Sequence, residues 1–445
     1  MKILFVSLGC DKNLVDTEKM LALVQEQGYE ITNEEEEAEV VVVNTCCFIQ
    51  DAKEESIVTI LEYAKKKEEG FLKGIIITGC LAQRYKEEIQ KEIPEVDVIL
   101  GSASYDSILE ALENLKKNDK KNKYDSLEYL PKNLTKRVIT TGTSMAYLKI
   151  AEGCNKRCTY CIIPSIRGNY RSVPMEEVLD EAGQLAKKGI KELVLVAQEV
   201  TLYGKDIYQK KALPKLLEEL CKIEGIEWIR LLYCYPEEIT DELIEVMKTE
   251  EKICHYIDMP IQHSEDTILK RMGRRTTKAQ IKEVIGKLRE AMPDICIRTT
   301  LITGFPGETQ EEHEALMEFV DEMEFDRLGV FTYSKEEDTK AAEFENQVEE
   351  EIKEQRKEEI MQLQQEVSYD LNQDMIGKEL EVLIEGYLFD EDVYVGRSYK
   401  DAPTVDGYVF VSSEEEIVSG SFVKVKIKEA EEYDLIGDVI YEFTE

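Results

Sequence analysis

The sequence predicts an α/β protein in three parts: a parallel α/β domain at the N-terminus, a central partial, TIM-like β/α barrel, and a small antiparallel β-barrel at the C-terminus. Strand-like and helix-like runs alternate over residues 1–116 and again over 140–373, the pattern of parallel sheets covered by helices. A polar, Lys- and Asn-rich stretch at 117–139 separates the two blocks and reads as a linker. Residues 374–445 switch to period-two strands broken by turns.

In the first block, KILFVSLG, EVVVVNTC and GIIITGC are the strands, and VDTEKMLALVQEQG, ESIVTILEYAKKK and AQRYKEEIQKEI the helices. The second block holds six strand-like runs, AYLKIAEG, ELVLVAQ, WIRLLYCYP, HYIDMPIQ, ICIRTTLITGFPGE and DRLGVFTYS. Six strand-helix units suit an open or partial barrel. It ends in a long charged helix, EEEIKEQRKEEIMQLQQEVSYDLNQDM, and the final part contributes ELEVLIEGYLF, DGYVFVS and SFVKVKIKEA.

Composition bounds the chemistry. A chain of 445 residues with 43% apolar content is long for one core. No apolar run approaches the ~20 residues that span a bilayer, and the start MKILFVSLGCDKN has no long apolar region or cleavage site. A cytoplasmic protein without a membrane partner is expected. Cytosolic thiols are held reduced, and the odd count of 11 cysteines argues against a disulfide framework. Clustered cysteines then read as metal ligands or reactive thiols. With 93 acidic residues against 56 basic, the formal charge is -37, which repels nucleic-acid phosphate and favours a basic protein partner. The plainer reading is solubility conferred by scattered Glu and Lys.

The stretch EGCNKRCTYCIIPSIRG crowds Cys154, Cys158 and Cys161 just past a strand, where a β/α barrel places its chemistry. Structural zinc wants four ligands, yet the following IIPSIRG has neither Cys nor His. Thiolates also hold iron-sulfur clusters, and three of them leave one iron open to a substrate or cofactor. Cys10, Cys46 and Cys80 each follow a strand in the first block. They converge on the edge where open α/β sheets bind ligands and can hold a second cluster; the alternative is three buried cysteines acting as small hydrophobes.

The CxxxCxxC spacing, with Tyr160 before the last Cys, resembles the radical S-adenosylmethionine (SAM) superfamily. Over essentially the whole chain, SLGCDKNLVDTE, NTCCFIQDAKEESI, TGCLAQRY and AEGCNKRCTYCIIPSIRGNYRS resemble the methylthiotransferase family, which joins a cluster domain, a radical SAM barrel and a TRAM barrel. GCDKNLVD, LKIAEGCNKRC, PSIRG, DMPIQHSEDTILKRMGRR and GRSYKDAPTVDGYVFV are similar to the branch that modifies a ribosomal protein, the alternative being a tRNA-modifying branch. The final domain, with 18 acidic residues against 6 basic from Ile376 onward, suits a basic protein better than tRNA. One departure is Cys47, where the family pattern has Gly; Cys46 is the favoured ligand.

The resemblance implies two 4Fe-4S clusters, one on Cys154, Cys158 and Cys161 and one on Cys10, Cys46 and Cys80, with SAM at the first. It implies small-subunit protein S-twelve, free or in the 30S subunit, as substrate, and an electron donor such as flavodoxin. An aspartate β-carbon offers no proton that a side-chain base readily removes, so a radical is required. In the implied mechanism, reduced cluster splits SAM to methionine and a 5′-deoxyadenosyl radical, which takes hydrogen from the aspartate. The second cluster then presents sulfur, and a second SAM supplies the methyl group. No side chain beyond the cysteines is assigned a catalytic role.

Other residues carry two readings each. Gly304 and Gly307 in LITGFPGET let backbone approach SAM or form a tight turn. Gln198 and Glu199 contact SAM or cap a strand, and His263 is catalytic or a satisfied polar residue. Arg167 and Arg171 pair with a carboxylate of SAM or substrate, or form structural salt bridges. Cys221, Cys234, Cys254 and Cys296 are core fillers, EEEE at 34–37 is a solvated edge, and GRSYKDAPTVDG is a binding loop or simple turns.

Overall fold

The computed structural model describes residues 1–117, 119–131, 135–142 and 144–441. Runs of β-branched residues, VVVVNT and GIIIT, are buried on both faces and form the centre of a parallel sheet. Its strands are β1 (Lys2–Ser7), β2 (Glu30–Ile31), β3 (Val40–Thr45), β4 (Gly74–Thr78) and β5 (Val98–Ile99), in the order β2-β1-β3-β4-β5. The two short edge strands lack the apolar runs that reveal the other three. The strand order reverses between β1 and β3, so the loops leaving these two flank the crevice where such sheets bind ligands.

The central sheet contains β6 (Met145–Lys149), then β9 (Glu192–Val196), β10 (Trp228–Leu231), β11 (Ile253–Asp258), β12 (Cys296–Thr303) and β13 (Arg327–Thr332); a small hairpin of β7 (Ala151–Glu152) and β8 (Arg171–Ser172) intervenes. All six strands are parallel and neighbours in chain order, and β6 and β13 do not pair. The barrel is open, as six units suggest. Helices cover one face with the largest apolar cluster. The other face packs Tyr147, Val194 and Tyr256 against Leu14 and Val15 of the first helix, Asp11–Glu26, and against Leu383 and Ala402 of the last domain.

That last domain closes as β14 (Glu379–Leu388), β15 (Val393–Arg397), β16 (Val409–Ser412), β18 (Leu435–Val439) and β17 (Phe422–Ala430). Its pairings are antiparallel except β16 with β18, which run parallel. Here GRSYKDAPTVDG forms turns at 399–400 and 403–405, as read, but buries its charges. Arg397, Ser398, Lys400, Asp401 and Ala402 are buried against the residues that open the central strands, Glu192, Cys296 and Arg327. Lys400 pairs with Asp326 and Arg327 with Asp401, both at 2.7 Å, and Asp406 accepts from Tyr256 at 2.7 Å. Within the linker stretch 117–139, Arg137 is buried against Glu18 and, at 2.9 Å, Glu181, while its other described residues are exposed or half-buried.

Glu192 opens β9 with no exposure and holds two fully buried guanidiniums, Arg230 at 2.7 Å and Arg397 at 2.6 Å. Removing its charge leaves Arg230 without a carboxylate and Arg397 with only the partly exposed Glu385 at 2.7 Å, at about 3–5 kcal/mol. Glu192→Gln is therefore expected to loosen the C-terminal barrel from the central sheet, read as faster limited proteolysis after residue 373 and a lower melting temperature. Unchanged proteolysis would contradict the role given to this pair.

Candidate functional site

The first cysteine set is built by turns at the ends of β1, β3 and β4. Cys10 is the N-cap residue of the helix Asp11–Glu26, Cys46 directly follows β3, and Cys80 lies in the short helix Gly79–Arg84. Gly9 turns with φ +85, and a Cβ there would lie 2.5 Å from Cys46 Cβ, so only glycine lets the two cysteine loops meet. Asn13 ties them together, its Nδ2 donating to Leu8 O at 2.9 Å and Thr45 O at 3.0 Å. Cys10, Cys46 and Cys80 lie within electrostatic reach of one another. Burial raises the Cys46 thiol and pushes Cys80 up to about 11. Cys47 turns into the apolar core beside Arg84, and burial pushes it up to about 12.

The second set sits on the loop after β7. Gly153 (φ +73) and Arg157 (φ 55) adopt left-handed backbone and curl the loop. The Lys156 N–H donates to Cys154 Sγ at 3.4 Å. Burial pushes Cys154 up to about 11 and raises Cys161 further, each also raised by Cys158. Buried thiols with raised proton affinity bind metal only by giving up protons. Among the described residues no three His, Cys, Asp or Glu side chains could hold a single metal ion. Sets of three thiols suit the corners of a polynuclear cluster.

Arg167, six residues past Cys161, ties that segment to the first set. Its Nε donates to Cys80 Sγ at 3.3 Å, its Nη1 to Asp16 at 3.0 Å and to Glu152 at 3.3 Å, and its Nη2 to Asn13. With every partner internal, the reading of Arg167 as a partner for a SAM or substrate carboxylate gives way to a structural ion pair. Arg171 likewise donates to main-chain oxygens, at 3.1 Å for Arg167 O. Tyr233, at the end of β10, meets the first set: its hydroxyl donates to Asp11 at 3.2 Å, and Lys12 Nζ stands 3.5 Å over its ring. Two residues on, Tyr235 adjoins Cys158 and Cys154. The tripeptide at 233–235 therefore touches both tripods.

Near the second tripod the structure leaves buried polar atoms without partners: Gln198 Oε1, Glu199 Oε2 and the Nε and Nη1 of Arg274. Burial drives the Glu199 carboxyl up to about 8. Arg274 stacks 4.2 Å over Tyr235 and adjoins Tyr160 and Cys158. Sequence reasoning missed Arg274, because an Arg in KRMGRR looks like a charged helix end. Gly304 answers to packing, since a Cβ there would fall 2.1 Å from Lys353 Cγ. His263 is fully buried, accepts from the Glu265 N–H at 3.0 Å, and is held neutral by burial at about 3. Cys221, Cys234, Cys254 and Cys296 are buried as core residues.

Because Glu199 keeps its proton in the folded chain up to about pH 8 but loses it near 4.5 when unfolded, the native state binds more protons between those values. Stability of the metal-free chain must therefore fall as pH rises through that window. Glu308, which burial raises to about 7, adds to the slope. Urea midpoints from pH 5 to 8 are expected to decline for the wild type and less steeply for Glu199→Gln; parallel declines would contradict a protonated Glu199.

Three family models match: the Uncharacterized protein family UPF0004 over residues 2–101, the Radical SAM superfamily over 148–320 and the TRAM domain over 376–440. A curated relative from Lachnoclostridium phytofermentans, Ribosomal protein uS12 methylthiotransferase RimO, is 58% identical, covering 98% of this chain and 99% of its own. Proteins of the same name from Thermoanaerobacter sp. and Clostridioides difficile are each 50% identical, covering 97% and 99% of this chain and 98% and 99% of their own. Among solved structures, the radical SAM methyltransferase TsrM from Kitasatospora setae superposes with TM-score 0.54 at 14% identity, covering 74% of this chain and 72% of that one; this likeness concerns the fold. With both cysteine tripods, an open β/α barrel and a closed terminal barrel in the family's order, the chain belongs to the ribosomal protein uS12 methylthiotransferase (RimO) family of radical SAM enzymes.

Proposed function

We propose that the chain inserts sulfur and a methyl group at the β-carbon of an aspartate in ribosomal protein uS12, using SAM and two 4Fe-4S clusters. The carrying observation is Arg167, whose guanidinium reaches Cys80 from the loop that bears Cys161, bringing both thiol tripods to one junction. A cluster on Cys154, Cys158 and Cys161 with bound SAM supplies one-electron chemistry at an unactivated carbon, and a cluster on Cys10, Cys46 and Cys80 supplies sulfur. An external donor such as flavodoxin provides the electron.

The chain's own residues bind and orient. Arg274 offers its charge and an unpartnered N–H, from Nε or Nη1 on different edges of the guanidinium, to the SAM carboxylate. Gln198 Oε1 accepts from polar groups of the same molecule, and Glu199, which keeps its proton, donates from Oε2. Tyr160, next to Cys161, stands edge-on to Phe305, with ring centroids 6.4 Å apart. These buried orphans fit a polar, zwitterionic cofactor, since each otherwise costs about 1–3 kcal/mol. Gly304 stays outside this set.

Mass spectrometry of uS12 from cells lacking the chain tests the substrate. The methylthio mass should be absent and return with the wild-type gene; its persistence, or its appearance on tRNA instead, would overturn the reading. After anaerobic reconstitution, Cys46→Ala should hold roughly half the wild-type iron, one cluster of two. Cys47→Ala should keep all of it and lose about 1 kcal/mol of stability from the core. Equal iron in both variants would contradict the assignment of Cys46.

A further inference from the structure

The helix Gln50–Glu68 follows the loop that bears Cys46. Its residues Ser56, Ile60, Tyr63 and Ala64 are buried against the first sheet, the inner stripe of an amphipathic helix. Ile57, Val58 and Leu61 lie outside that stripe, 38%, 54% and 48% exposed. Ile57 and Leu61 are four residues apart and Val58 and Leu61 three, so these side chains are neighbours on one face. Single exposed aliphatic residues are ordinary, but a contiguous stripe on an otherwise charged helix marks a binding surface. The stripe is tied to the first tripod. Ser56, directly before Ile57, accepts from the Cys46 N–H at 3.0 Å and donates to the Cys46 carbonyl at 2.9 Å. Phe48, two residues past Cys46, is 43% exposed as well.

The charges around the stripe are one-sided. Glu54 stands one turn before Ile57 and Val58, Glu55 one turn before Val58 and Glu62 one turn after it, with Asp51 a further turn back. All four are exposed, and among the described residues none of them forms an ion pair. Three of the helix's four lysines are engaged elsewhere, Lys53 with Glu336 at 3.4 Å, Lys66 with Glu35 and Lys67 with Asp97, which leaves Lys65 against the four carboxylates. An apolar centre inside a rim of one sign selects its partner by charge. A second copy of the chain would set these carboxylates against their own counterparts, and an acidic electron carrier would meet the same repulsion. A basic protein brings lysines and arginines to the rim while an apolar side chain covers the stripe.

We propose that this face is an exosite for the protein substrate: an apolar side chain flanked by lysines or arginines seats on Ile57, Val58 and Leu61, away from the aspartate that reacts. The inference rests on the reading of a basic ribosomal protein as substrate, and it adds where that protein is held. Ser56 fixes the seat to the Cys46 loop, and the pair of Lys53 with Glu336 joins the same helix to the loop after β13. The body of the substrate is thereby held at a set position relative to the first tripod.

The test uses the reconstituted full-length chain and purified, unmodified uS12. Val58→Ser combined with Leu61→Ser should weaken uS12 binding roughly tenfold or more and raise its KM by a similar factor, with kcat and iron content unchanged. Glu54→Gln, Glu55→Gln and Glu62→Gln together should flatten the decline of affinity with rising salt seen in the wild type. A short peptide carrying only the reactive aspartate should bind equally to all forms, since it does not reach the helix. Ile352→Ser, at an exposed aliphatic residue of the helix Glu350–Gln373, is the control and should leave uS12 binding intact. Unchanged uS12 affinity in the Val58→Ser, Leu61→Ser variant, or an equal loss in the control, overturns the exosite. So does a wild-type dimer that this variant converts to monomer, which would give the face to a second copy. Loss of flavodoxin binding with uS12 binding intact would give it to the electron carrier and overturn the exosite too. If the wild type adds methylthio mass to uS12 and the variant keeps its KM, the exosite falls while the substrate reading stands; if the wild type adds none, the reading itself falls.

Discussion

Four buried charges hold the molecule in its working arrangement: Arg167 and Lys149 as cations, Asp16 and Glu152 as anions. Their side chains are 2–6% exposed. Asp16 lies on the first helix of the N-terminal domain, and Lys149, Glu152 and Arg167 on the barrel. Taking such charges out of water costs several kcal/mol each unless each finds its opposite. They do so only when the two domains are docked in one register. Lys149 and Arg167 outweigh burial and hold the Glu152 carboxyl far down, at about 2, so the knot stays charged at neutral pH. The contact between Arg167 and Cys80 follows from this docking, and with it the meeting of the two cysteine tripods.

The opposite end of the central sheet is closed by the same kind of interaction. Glu192, Arg230 and Arg397 form one buried set, and Asp326, Lys400, Arg327 and Asp401 another. Between the ends runs a polar chain: Asp406 accepts from Arg298 at 3.2 Å, Arg298 donates to Asp258 at 3.3 Å, and Asp258 accepts from the Tyr233 N–H at 2.9 Å. Tyr233 in turn contacts Asp11 and Lys12 beside Cys10. An aromatic residue at φ 60 is costly unless its surroundings fix it, and here that chain fixes it. The last barrel thus seals the central sheet and also braces the cysteine loop from beneath.

The thiols and the alternating elements were legible in the sequence because spacing and periodicity are local properties. CxxxCxxC sits in one loop, and Cys10, Cys46 and Cys80 each follow a strand whose apolar run announces it. What joins these parts is not local. Arg167 finds Asp16 across 151 positions and Arg397 finds Glu192 across 205, and in a chain with 33% charged residues no pattern marks which of them are buried. The same blindness hid the buried charges of GRSYKDAPTVDG, among them Arg397, Lys400 and Asp401. Gly304 is required by its backbone, since φ is +67 and a Cβ there would fall 2.1 Å from Lys353 Cγ.

The central claim is that two clusters face one another across a junction held by Arg167. Electron paramagnetic resonance of the fully reduced, reconstituted protein tests it most directly. If the tripods share one space, the wild-type spectrum will show spin-spin broadening absent from the sum of the spectra of two variants, one lacking Cys10, Cys46 and Cys80 and the other lacking Cys154, Cys158 and Cys161. A wild-type spectrum equal to that sum would mean that the clusters are magnetically isolated, and would contradict the arrangement.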